Sequence, residues 1–344
     1  MMTAMKKPGP TRCFRVAPLL LVVALAACQD GGYAGADSAP LVDADPRLSI
    51  ADTGLYADVA NKVVAPGVVS FAPAWALWSD AAEKSRWILL PPNAQIDSID
   101  MDKWQFPVGA KLFKEFVRDG VLVETRLIER TGPGAMDFWM GAFVWTLDES
   151  NAFFAEAGEQ NANGTPHDVP SAARCWNCHG GEPARVLGFS AVQLSHAGPG
   201  LTLADVAQNG WLTQPPAPNE SFAVPGDAAI AAPALGYLHA NCGHCHNPNG
   251  GGWVAGPMVL RVGAAESAGL VAQTELYMST VDVPTSLFNN PNYPLRIARG
   301  DAAASAIPYR MSVRGGAQMP PVGNTEDADP AGLARVGAWI NNLL

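Results

Sequence analysis

The chain has 344 residues, 48% of them hydrophobic, and a formal charge of −10 at neutral pH. That is enough apolar sequence to bury substantial cores in two or three domains, which argues against a disordered chain. The acidic balance argues against a nucleic-acid binder and against electrostatic adhesion to anionic lipid, and it leaves room for a basic redox partner protein.

The first predicted element is an export leader over 1–27. Lys6, Lys7, Arg12 and Arg15 precede an apolar run over 16–27, which is too short for a stable bilayer span. The run ends Leu25-Ala26-Ala27-Cys28, small residues before a cysteine, as in the lipobox of bacterial lipoproteins. Cys28 is therefore expected to carry a lipid that holds the protein to a membrane. Ordinary cleavage near Ala27, with Cys28 incidental, is the alternative. Gln29 rather than Asp after that cysteine points to the outer membrane, so a periplasm-facing lipoprotein of the cell envelope is expected. Residues 28–47, rich in Gly, Ala, Asp and Pro without a hydrophobic period, read as a flexible tether.

Residues 48–165 read as a β-rich domain, sandwich or barrel-like. Apolar or β-branched runs lie at 86–90 (RWILL), 111–117 (KLFKEFV), 121–130 (VLVETRLIER) and 138–145 (FWMGAFVW), and Asp119-Gly120 favours a tight hairpin turn. Trp75, Trp78, Trp87, Trp104, Trp139 and Trp145 are expected mostly in its core, and Lys84 and Arg86 on a solvated strand edge, with attraction of haem propionates or of a partner as the alternative. After a polar boundary over 151–170 the pattern becomes helical. Pro170-Ser171 opens a short helix and Thr202 caps another over 202–208. Residues 214–225, with four prolines, read as a linker. Pro233 starts a helix that runs to Cys242, and Asp329-Pro330 cap a last one with Leu333, Val336, Trp339, Ile340 and Leu343 at helical spacing.

Two five-residue stretches on this helical part carry chemistry. Cys175-Trp176-Asn177-Cys178-His179 and Cys242-Gly243-His244-Cys245-His246 both spell C-x-x-C-H. On a helical turn residues i, i+3 and i+4 share a face, so two thiols can join the two vinyl groups of one porphyrin while the histidine ligates the iron. Two covalently bound c-type haems are expected, in a first haem region over 166–232 and a second, cytochrome c-like domain over 233–344. The expected fold is thus a mostly-β domain followed by a mainly α cytochrome c-like region. A tetrahedral thiolate zinc site is the main competing use of such pairs, with an iron-sulfur site beside it. With Cys13 in the leader and Cys28 lipidated, the two motifs use every remaining cysteine, so no disulfide is required.

His179 and His246 are the expected proximal metal ligands. Met319, in Gln318-Met319-Pro320-Pro321, is the expected distal ligand of the second iron, with Met311 and Met278 in reserve. No methionine lies between His179 and His246, so the first iron has scattered candidates: His196, His239, Met258, Met136 and Met140. His244 and His167 receive no role.

With both motifs placed, the sequence resembles a family of bacterial diheme c-type cytochromes, conserved proteins of unknown function. The resemblance is carried by Asp52-Thr53-Gly54-Leu55-Tyr56, Leu77-Trp78-Ser79-Asp80 with Lys84 and Arg86-Trp87, and Trp104-Gln105-Phe106-Pro107-Val108-Gly109. It continues in Glu124-Thr125-Arg126-Leu127, Val186-Leu187-Gly188-Phe189, Gln193-Leu194, the 237–246 stretch and Gln318-Met319-Pro320-Pro321. It implies covalent haem at Cys175, Cys178, Cys242 and Cys245 with His179 and His246 beneath the irons, and it names no substrate. The chain departs from the family pattern at Ala81-Ala82 and Ser195. The expected function is single-electron transfer. The alternatives are a diheme peroxidase or oxidase with an open first haem, which needs a distal acid or base such as His196 or His239, and a binding module built on the tryptophan-rich β domain.

Overall fold

Alternating side chains along the strands between 83 and 145 build a single sheet with two chemically different faces. The computed structural model describes residues 47–323 and 326–344. The leader, Cys28 and all of the tether except Arg47 lie outside the described residues. β1 (Tyr56–Asp58) and β2 (Val63–Val64) pair as a small ribbon. β3 (Val69–Ser70), β4 (Glu83–Leu89), β5 (Lys111–Arg118), β6 (Val121–Arg130), β7 (Phe138–Trp145) and β8 (Ala152–Phe154) form one antiparallel sheet in sequence order. Asp119 and Gly120, both at positive φ (51° and 79°), make the tight turn between β5 and β6.

One face carries Phe113, Leu127, Phe143 and Trp145, which close over Ile50, Leu55 and Ala152 in an apolar core. The opposite face carries Arg86, Lys114 and Arg126 in one row and Ile88, Leu112, Ile128 and Met140 in the next. Trp104 and Trp145 are core residues, as the sequence suggests, whereas Arg86 is only 8% exposed and stands on no solvated edge.

The helices are α1 (Cys175–His179), α2 (Ala191–Leu194), α3 (Leu203–Gln208), α4 (Ala231–Asn241), α5 (Glu275–Thr280), α6 (Ala306–Ser312) and α7 (Pro330–Asn341). The predicted caps are present: Thr202 and Asp205 form a reciprocal capping box on α3, and Asp329 accepts from Gly332 N at 2.9 Å on α7. The two longest helices, α4 and α7, cross where Gly332 meets the Tyr237 ring so closely that a Cβ would lie 2.2 Å from it. Val336, Trp339 and Ile340 bury against Leu235, Leu238 and Leu260 there.

The expected architecture is corrected in two respects. The β part is neither a sandwich nor a barrel but one open six-stranded sheet. Its cationic face is too polar to meet a second sheet, and the segment around the first motif covers it instead. Nor is the remainder mainly α. Among the described residues only α4 and α7 exceed seven residues, and the rest is short helices, 3-10 turns, isolated bridges and loops, so the fold is mixed. Pro248, Gly250, Gly251, Gly252, Pro257, Pro284, Pro291 and Pro294 interrupt the chain too often for a helix nucleus to propagate.

Phe189 joins the sheet to the first motif's segment. It is fully buried, with its ring edge-on to Phe71 at 4.9 Å and near Trp104 and Phe106 at 6.0 and 5.9 Å. Among the described residues no helix is long and apolar enough to cross a membrane.

Candidate functional site

The first motif is one helical turn. A 3-10 turn over Ala172–Arg174 runs directly into α1, and Gly180 N closes it on Trp176 O at 2.8 Å. Cys175 and His179 face a cavity between α1 and the cationic face of the sheet. His179 Nδ1 lies 2.7 Å from Arg185 O. A carbonyl only accepts, so the proton sits on Nδ1 and Nε2 keeps the lone pair an iron needs. Arg185, at φ 59°, curls the loop around this ring, its guanidinium donating to the carbonyls of Gly180 and Glu182. Burial, then the nearby Lys114 ammonium, push His179 down to about 3, so the ring is neutral at physiological pH.

The second motif follows α4 at its C-terminal end. Cys245 N and His246 N both donate to Cys242 O, at 3.1 and 2.8 Å, and Asn247 Nδ2 closes the turn on Gly243 O and His244 O at 2.7 and 3.1 Å. Asn241, the last residue of α4, accepts from Trp78 N at 2.7 Å and donates to Ala76 O at 3.2 Å. The 75–78 segment of the β part is thereby tied to the base of this motif.

Cys242, Cys245 and His246 line a cavity walled also by Met258, Met311, Met319, Phe288, Arg296 and Arg310. Gly252 packs on the imidazole of His246, where a Cβ would come within 2.7 Å of Nδ1. That Nδ1 is buried and has no hydrogen-bond partner. Burial, then Arg310 and Arg296, hold His246 down at about 4.

Of the expected distal ligands, Met319 lines the second cavity. Its backbone N donates to Arg310 O at 2.8 Å, and Gln318 braces the loop by accepting from Gly315 N and donating to Pro320 O. Met311 and Met258 line the same cavity, whereas Met278 is 59% exposed elsewhere. On the first cavity only Met140 of the five candidates is present. His196 uses both ring nitrogens, Nε2 with Ala72 O at 2.9 Å and Nδ1 accepting from Gly198 N at 3.0 Å. His239 Nδ1 accepts from Val262 N at 3.0 Å, and exposed Met136 takes a long contact from Arg185.

The two motifs touch. Cys245 Sγ lies 3.7 Å from Asn177 O, inside the other motif. A Cβ on Gly181 would sit 2.4 Å from His244 O and 2.6 Å from Gly250 Cα, so the loops after the two motifs stack without room for a side chain. Arg261 ties them further, donating to Glu182 at 3.0 Å and Asp102 O at 2.8 Å. Sequence reasoning missed this contact and the residues that make it. The available signal was the glycine pair after the first motif and the Gly250-Gly251-Gly252 run after the second. It also missed Lys114 and Arg126 on the first cavity, whose alternation along β5 and β6 already set them on one face.

The four motif thiols are unpaired. Burial pushes them up, to about 11 at Cys175 and about 12 at Cys242 and Cys245. Among the described residues no three His, Cys, Asp or Glu side chains converge to hold a bare metal ion, so the zinc alternative has no assembled ligand set. No protein-family model, curated protein or solved structure matches this chain.

Proposed function

We propose that this protein is an exported diheme c-type cytochrome of the cell envelope that carries single electrons, anchored by a lipid on Cys28. The observation that carries the reading is that each C-x-x-C-H turn presents its histidine and at least one cysteine to a cavity of its own, while the two turns are in contact. The donor set fits the group twice. His179 offers a free Nε2, and half-buried His246 faces a cavity lined by thioethers and apolar side chains. A c-type haem, when bound, supplies a one-electron iron couple.

The chain's own residues would do the rest. Cys175 with Cys178, and Cys242 with Cys245, would hold the thioether bonds, and His179 and His246 would ligate the irons. Met319 is placed to complete the second site, with Met140 the remaining sequence candidate at the first. Aliphatic and aromatic walls exclude water and so favour electron exchange over side reactions. The touching motifs join the two sites into one redox unit facing a partner protein.

The pyridine haemochrome spectrum of the protein matured in its own export pathway should count two covalent haems per chain, and fewer than two sinks the reading. Met319→Ala should abolish the sulfur-to-iron absorption of the oxidised protein, whereas Met278→Ala should leave it intact. The second reading, a peroxidase or oxidase with an open first haem, loses support because His196 and His239 are hydrogen-bonded elsewhere. Carbon monoxide binding to the reduced protein would restore it.

A further inference from the structure

The sheet face beneath the first motif holds like charges in register. Arg86 stands opposite Lys114 and Lys114 opposite Arg126, so three basic side chains lie side by side across β4, β5 and β6, where burial, then Arg86 and Arg126, push the Lys114 amine well below its ordinary value until an anion answers it. Directly opposed residues have Cβ atoms roughly 5 Å apart, and like charges there destabilise a sheet. Among the described residues one carboxylate on this face answers them. Glu124, fully buried, takes Arg126 through two bonds of 2.9 and 2.5 Å and is backed by His167 Nε2 at 2.7 Å.

That leaves Arg86 and Lys114 without a carboxylate partner among the described residues. Arg86 makes one long bond, 3.4 Å, to Lys84 O. Two residues along each strand the same face turns aliphatic, with Leu112, Ile128 and Met140 in register. Both rows line the first cavity beside Cys175 and His179.

We propose that this two-row floor is the carboxylate-binding wall of the first haem site. The aliphatic row takes the face of the macrocycle, and Arg86 with Lys114 take its two propionate groups. Haem is a flat apolar ring with two carboxylates on one edge, and the floor supplies an apolar strip beside two unmatched cations. Arg126 is left out because Glu124 already holds it. The inference rests on the haem reading above and deepens it, since it makes the β sheet part of a haem site. A free oxyanion reaching the first iron has the same chemistry, so the test separates the two sources.

The protein matured with its haems, wild type and the variants Arg86→Gln, Lys114→Gln and the double variant, is counted by pyridine haemochrome and then titrated optically for its two midpoint potentials. Positive charge near a haem favours the reduced form. Each neutralised cation should therefore lower one midpoint and leave the other in place, by roughly tenfold in the reduced-to-oxidised ratio at fixed potential, or about 59 mV. Two bound haems with both midpoints unmoved overturn the proposal.

If the double variant matures with one haem, the charge-conserving pair Arg86→Lys and Lys114→Arg decides. Recovery of two haems supports the wall, and continued loss overturns it. Titrating the oxidised wild type with sodium phosphate or sodium nitrite should leave the spectrum unchanged. A saturable shift that Arg86→Gln abolishes assigns the wall to a free oxyanion and overturns the propionate assignment. Wild type with fewer than two haems fails the parent reading instead, before any midpoint is measured.

Discussion

At the first motif His179 is hydrogen-bonded to Arg185 O and faces a wall of strands; at the second His246 has no partner at Nδ1 and faces a wall of loops. The first cavity is bounded by cations and a single thioether, Met140. The second has three thioethers and two arginines. Identical spelling therefore fixes the near side of each site and nothing of the far side. The far side comes from residues distant in sequence, 86–140 in one case and 258–321 in the other. The difference teaches that potential and ligation would be set independently at two sites that nevertheless share an interface.

The largest expected effect strikes what the sites have in common. Gly181→Val drives side-chain atoms into His244 O and Gly250 Cα, both backbone, and should cost about 4 kcal/mol or more. Thermal melts should show it against Gly316→Ala, whose Cβ meets nothing within 4 Å. An equal, small shift in both variants would mean that the motifs do not rely on close stacking.

The next effect separates the sites. Phe189→Ala empties the aromatic joint between sheet and first motif and should cost about 3–5 kcal/mol, while Leu235→Ala under the second motif should cost about 2–5 kcal/mol. If haem content is followed alongside, Phe189→Ala should deplete the first site more than the second, and even depletion would argue against separate walls.

Acid tests the comparison through His239, in the core beside the second motif. Burial, then Arg261 and His244, hold it down at about 3, below the unfolded value of about 6.5. The unfolded chain thus binds a proton that the folded one refuses. The stabilisation from this group is complete above about pH 6.5 and is lost as pH falls towards 3, at about 1.4 kcal/mol per pH unit. His239→Gln, which keeps an acceptor for Val262 N, should flatten the acid limb of denaturant melts by that slope, and an unchanged limb would remove His239 from the account. The smallest effect is expected at α7: Asp329→Ala removes the cap and should cost about 1 kcal/mol in the same melts, with the first motif's spectrum untouched.

How much of this was legible in the sequence follows from range. Local signals held: the alternation of 121–130, the Asp119-Gly120 turn, the Thr202 and Asp329 caps and the helix entering Cys242 all appear in the structure. Each depends on neighbours a few residues away. The architecture was misread where pairing is non-local. Lys84 and Arg86 look like a solvated edge in isolation, and only the register with Lys114 and Arg126 shows that the row lies under the first motif. The helical reading of 233–344 overvalued two good helices and passed over the prolines and glycines between them. The distal candidates at the first site were undecidable from spacing, since Met140 reaches it only through the β6–β7 pairing.

The proline-rich stretch over 214–225 is mostly exposed, and it connects two halves that are stitched together elsewhere by Arg261, Asn241 and the stacked glycine loops. A linker by composition, it does not separate modules. A protease that nicks it should leave a two-fragment complex holding together without the covalent joint, and a transplant of residues 233–344 alone would keep the walls of the second cavity but lose the contacts to Trp78 and Glu182.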